Sequence, residues 1–133
     1  MRAEKVTYTL LSNDSGVAAL IAGRIYPGRL PQNTTMPALS YELVSSVDVL
    51  PITAVAGGVL LRSRVQVTGF AKNYSDLKTL LEAARKALLF QSGVIAGVRV
   101  IGITRELIGP DLREDDLGLY LQSVDYLITH DET

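Results

Sequence analysis

The chain has one histidine, His130, close to the end of the sequence. Any serine–histidine–acid chemistry would have to run through it, because such chemistry needs a nucleophile, a base and a group that orients the base. Its position at the end of an alternating apolar segment predicts a surface side chain instead. There is no cysteine, which removes disulfides, thiolate nucleophiles and thiolate metal sites and fits a reducing compartment. Asp111, Glu114, Asp115 and Asp116 carry the hard oxygens that Ca²⁺ or Mg²⁺ prefer. The alternation and central glycine of an EF-hand loop are missing, however, and Arg113 sits among the acids, so a solvated acidic loop is expected. Gly16, Gly23, Gly28 and the pair Gly57-Gly58 form no phosphate-cradling pattern. Arg62 and Arg64, two apart on one strand face, fit either a phosphate-facing stripe or the wet side of a half-buried strand, and the second reading is adopted. The same reading covers Lys78, Arg85 and Lys86 as an exposed helix face. No catalytic residue, metal ligand or cofactor site is expected.

What remains is a stiff segment, Gly23-Arg24-Ile25-Tyr26-Pro27-Gly28-Arg29-Leu30-Pro31, with a further proline corner at Pro37. Proline locks φ and glycine admits positive φ, so the path is extended and sharply turned. Arg24, Tyr26 and Arg29 ride on it and are candidates for contact with a partner.

The elements that must position these groups follow from periodicity. Helices are predicted at Ala3–Leu11, with Val6, Leu10 and Leu11 on one side, and at Val17–Ala22, stopped by Gly23. A strand is predicted at Ala38–Val44. Another is predicted at Leu60–Phe70, where Leu61, Val65 and Val67 oppose Arg62, Arg64, Gln66 and Thr68. The strongest helix runs from Asp76 to Leu89, capped by Asn73 or Ser75, with Leu77, Leu80, Leu81, Ala84 and Leu88 in one stripe. Strands at Gly97–Leu107 and Leu119–Thr129 close the chain. The order α-α-β-β-α-β-β predicts an α+β domain over residues 1–133, with a mainly antiparallel sheet of about four strands and helices packed on one face. Residues 45–58 read as a long connection with an apolar middle that includes Leu50, Pro51 and Ile52. It packs either on its own core or on another chain.

At 133 residues and 47% hydrophobic content the chain can bury a real core. No apolar run approaches the roughly 20 residues of a membrane helix, and the start reads as an amphipathic segment rather than a signal peptide. The net charge of −1 argues against a dedicated nucleic-acid binder. The charge is divided unevenly. Residues 1–105 hold 12 Lys and Arg against 6 Asp and Glu, whereas residues 106–133 hold Arg113 against eight acids. A basic body and an acidic end give one molecule two complementary surfaces.

These residues, in this order, resemble the tail-completion (tail-terminator) family of long-tailed bacteriophages, prophages and gene-transfer agents. The likeness starts at Leu10-Leu11, Asp14 and Val17-Ala18-Ala19-Leu20 and leads into Gly23-Arg24-Ile25-Tyr26-Pro27. It continues through Pro37-Ala38-Leu39-Ser40-Tyr41, Arg64-Val65-Gln66-Val67, then Tyr74, Leu80, Ala84 and Ala87-Leu88. It ends at Gly118-Leu119-Tyr120, Ser123 and Asp125-Tyr126, after an acidic turn. The resemblance implies a structural virion protein and no enzyme. The subunit would form a homo-oligomeric ring, a hexamer, on the end of the finished tail tube, stopping polymerisation and offering a surface to the head connector. Its partners would be itself, the tail tube protein and head–tail connector proteins, with DNA only passing through the channel and no membrane. The particle would be assembled in the bacterial host cytoplasm. A head–tail joining (neck) subunit and a non-viral adaptor domain of the same fold are the alternatives. Arg24, Tyr26, Arg29, Leu50, Pro51, Ile52, Arg62, Arg64, Asp111, Glu114, Asp115 and Asp116 are the candidate subunit or tail-tube interface. The acids would either meet arginines of a neighbour or line the channel and repel DNA.

Overall fold

A computed structural model describes residues 2–49 and 60–131 of the chain. The first helix, α1 (Arg2–Asn13), buries Ala3, Val6, Thr7 and Leu11, a 3–4 residue spacing that puts them on one face. Asp14 caps α2 (Ser15–Ile21): its carboxylate accepts from the Val17 N–H at 2.9 Å. That helix ends one residue earlier than its glycine suggests. Ala22 takes the left-handed cap at φ 48°, and Gly23 follows at φ 82°.

The stiff segment contains an edge strand, β1 (Ile25–Pro27), parallel to the start of β2 (Ala38–Val49). The Leu39 N–H donates to the Arg24 carbonyl and the Gly28 N–H to the Tyr41 carbonyl. β2 pairs antiparallel with β3 (Leu60–Ala71). Next comes α3 (Tyr74–Leu88), whose N-cap Asn73 accepts from the Asp76 N–H. Four strands follow: β4 (Gly93–Ile95), β5 (Val98–Ile108), β6 (Leu112–Glu114) and β7 (Leu119–Asp131).

The sheet corrects the expected fold class. Among the described residues it is a mixed, strongly curled sheet of seven strands, in the order β1-β2-β3-β7-β5-β4 with β6 beside β7, rather than a mainly antiparallel sheet of about four. The element order is likewise α-α-β-β-β-α-β-β-β-β, not α-α-β-β-α-β-β. The three extra strands have three residues each, too few for alternation to show. Pro27 sits in an edge strand, where its missing N–H costs no ladder bond. The first long strand also runs five residues past Val44, because a bulge between Leu43 and Ser45 shifts the pairing and breaks the period of two.

The core lies between one face of the sheet and the three helices. Val65, Val67, Val124, Tyr126 and Ile128 meet Val6, Leu11, Val17, Leu77, Leu80 and Leu88 there. Gly69 lets α3 lie close on β3. A Cβ at that position would stand 3.0 Å from Leu81 Cδ2 and 3.1 Å from Leu77 Cδ1. Among the described residues, the opposite face, with Arg62, Arg64, Gln66 and Thr68, has no helix over it.

Candidate assembly surfaces

The single histidine is not on the surface. His130 is 1% exposed, because it continues the inward series Val124, Tyr126, Ile128 by one more step of two. That extension was available in the sequence. Its Nδ1 donates to the Asp131 carbonyl at 2.8 Å, which leaves Nε2 to accept from the Ser63 hydroxyl at 2.7 Å, and Ser46 lies 2.9 Å from Ser63. The orienting group is a main-chain carbonyl, and the Asp131 carboxylate is held by Arg99 at 2.7 Å. Ser63 is itself 1% exposed. This is a buried polar chain whose members satisfy one another, beside a small pocket of about 110 Å³ that Arg2, Glu4 and Leu43 also line.

The predicted interface residues are treated differently from one another by the fold. Arg24 turns back on its own segment, its Nε donating to the Pro37 carbonyl at 3.0 Å. Tyr26 is half-buried in β1 and Arg29 is exposed. Arg62 is exposed on the helix-free face. Two residues on, Arg64 reaches across to Asp125, Nε to Oδ2 at 2.8 Å and Nη2 to Oδ2 at 2.6 Å. Spacing alone gives no hint of Asp125 as that partner. It follows from the β3–β7 register, which sets Gln66 opposite Asp125. Leu50, Pro51 and Ile52 lie outside the described residues.

The acidic loop is split. Asp111 is anchored to α3, accepting from Lys78 Nζ at 2.5 Å and from the Tyr74 hydroxyl at 2.9 Å. The Lys78 and Tyr74 hydrogen bonds hold its carboxyl below the usual carboxylate range. Burial works against the Lys78 charge, but Asp111 and Tyr74 outweigh it and raise the ammonium above its ordinary value. Lys78 also donates to Gln122 Oε1 at 2.6 Å, and Gln122 donates to the Gly109 carbonyl, so the turn into the loop is tied down. Asp115 pairs with Arg113 at 2.9 Å, both well exposed. Glu114 in β6 and Asp116 beyond it are exposed. None of the ion pairs among the described residues joins these acids to Arg24, Arg29, Arg62 or Arg64 of the same chain.

A groove of about 680 Å³ runs between the proline segment (Leu30, Pro31, Met36) and Phe70, Leu117 and Leu119. A second, of about 610 Å³, separates the start of α2 from Lys78, Glu82 and Lys86 on α3. Among the described residues no three acid or histidine side chains stand close enough to share a metal. No helix among them is long and apolar enough to cross a membrane.

Residues 6–131 match a family model described as Tail completion protein gp17. A similar solved structure is a chain of the "Virion of native gene transfer agent (GTA) particle". It is 17% identical, with a TM-score of 0.68, over 95% of this chain and 92% of that one. No curated protein matches the sequence.

Proposed function

Because the chain belongs to the tail-completion gp17 family, we propose that it caps the end of a phage-type tail tube as a homo-oligomeric ring. The cap ends tube polymerisation and presents the surface to which the head connector docks. The match over residues 6–131 carries this reading. The likeness to a chain of a gene-transfer-agent virion supports a place in such a particle. The work is done by shape and charge, not by catalysis, and DNA only passes through the channel.

The exposed groups support a head-to-tail contact between copies, which closes into a ring when the rotation fits. Glu114 and Asp116 stand exposed at one end, and Arg29 and Arg62 are exposed elsewhere on the same subunit. In this reading the acids meet the arginines of the neighbour. Leu50, Pro51 and Ile52 are proposed, from sequence alone, to contact the tube.

The test is electron microscopy of the purified protein mixed with tail tubes. Rings at tube ends are expected. Rings on isolated head connectors and none on tubes would show a joining subunit instead. Reversal of Glu114, Asp115 and Asp116 to lysine is expected to weaken ring formation, and normal rings would refute the charge contact while leaving the cap intact. Leu50→Asp with Ile52→Asp is expected to abolish capping in a folded monomer.

A further inference from the structure

The sheet has two unfinished edges. On one side β1 pairs only with Leu39–Tyr41, so the outer side of β2 from Glu42 to Val49 has no strand beside it among the described residues. On the other side β4 pairs only with Val98–Val100, so the outer side of β5 from Thr104 to Ile108 is equally bare. All five residues Thr104–Ile108 are exposed, as are all from Glu42 to Asp48. Long bare edges with apolar side chains are templates for another strand. Val47 is 63% exposed and Leu107 52%.

We infer that the subunits of the ring join edge to edge, β2 of one copy against β5 of the next, so that the sheet runs on around the ring. This rests on the ring proposed above. Strand direction supports it. From β2 through β3 and β7 to β5 each neighbour is antiparallel. The two outer strands therefore point opposite ways, and a rotated copy brings β2 beside β5 in the same antiparallel alternation.

The side chains also agree. Beyond the β2 bulge, Val47 is opposite Arg62 and Val49 opposite Leu60 on the helix-free face, while Asp48 is opposite Leu61 on the helix-bearing face. In β5, Leu107 and Thr104 stand on the helix-free face, opposite Asp125 and Leu127, and Arg105 on the other, opposite Tyr126. Glu106 is the extra residue of the β5 bulge. An antiparallel seam that leaves Glu106 out sets Val47 against Leu107, Asp48 against Arg105 and Val49 against Thr104. Each pair then shares a face, as direct cross-strand partners must. Neither Asp48 nor Arg105 has a salt-bridge partner among the described residues. Pairing β2 with its own copy gathers only acids, Glu42 and Asp48, along the seam, an arrangement that like-charge repulsion opposes.

The absence of native cysteine makes the seam directly testable. Cross-strand Cα atoms lie about 4.5–5.5 Å apart, within disulfide reach. The variant with Val47→Cys and Leu107→Cys, assembled on purified tail tubes and oxidised, is expected to give a ladder of linked multimers on a non-reducing gel. Each single variant is expected to stay unlinked. Rings on tubes with no ladder overturn the seam and leave the ring standing. Dimers from Val47→Cys alone also overturn it, in favour of a β2–β2 contact. No rings from the unmodified protein overturn ring and seam together. Independently, Asp48→Arg is expected to lower tube capping by more than about tenfold with an unchanged monomer melt. Adding Arg105→Asp is expected to restore it, and failure of that rescue while the single variant is impaired counts against the Asp48–Arg105 pairing.

Discussion

Removing Arg64 should destabilise the subunit more than removing its partner Asp125. The two bind through contacts of 2.8 Å and 2.6 Å, but their surroundings differ: the Arg64 side chain is 31% exposed and that of Asp125 8%. Arg64→Ala strands a carboxylate where water hardly reaches, and breaking a buried pair in this way costs about 3–5 kcal/mol. Asp125→Ala strands a guanidinium that turns outward to solvent, so its cost falls toward the level of exposed pairs, about 1 kcal/mol. Arg64→Met with Asp125→Leu removes both charges and should recover most of the loss. Urea unfolding followed by circular dichroism reads all three. With a slope of about 1–3 kcal/mol per molar, Arg64→Ala should move the midpoint down by about 1 M or more. Equal costs for the two single variants, or a larger one for Asp125→Ala, would refute the reasoning. The asymmetry bears on assembly, because it ties Arg64 into the sheet of its own subunit.

Gly69→Val drives a side chain into Leu77 and Leu81. It should cost about 1–3 kcal/mol by overpacking, visible as a lower melting temperature, and an unchanged melt would show that α3 does not rest on β3 there. Burial pushes the Tyr126 hydroxyl up to about 12. Among the six tyrosines it should therefore ionise late in an ultraviolet titration, with Tyr126→Phe deleting that phase. A group raised in the folded state holds its stability below its unfolded value and loses it as pH climbs toward the folded one, so alkaline unfolding should begin above about pH 10. Lys78 and Tyr74 lower the Asp111 carboxyl, and Arg99 lowers that of Asp131. Their contributions are therefore present above the unfolded value, about 3.9, and lost as pH falls through the folded one. Lys78→Met should return Asp111 toward the ordinary range in a carboxyl NMR titration.

The helices and the four long strands were legible because each has a run of periodic apolar residues, most extended in α3 and β3. In α3, Leu77, Leu80, Leu81, Ala84 and Leu88 recur at helical spacing, and in β3 every second residue from Ser63 to Ala71 is inward. The family was legible for a related reason: its markers are local runs in a fixed order, and the matched region spans nearly all of them. Other features depend on which strands become neighbours, and periodicity carries no term for that. The Ile25–Pro27 strand exists because β2 lies beside it, and Asp125 is Arg64's partner because β3 and β7 meet in one register. His130 is an intermediate case, since its place in the inward series was written in the chain but its Ser63 and Ser46 partners were not. The sequence by itself determined the elements, the charge division and the family. Only the tertiary structure decided which charges are spent inside the subunit and which edges of the sheet are left bare, because both are set by contacts between residues far apart along the chain.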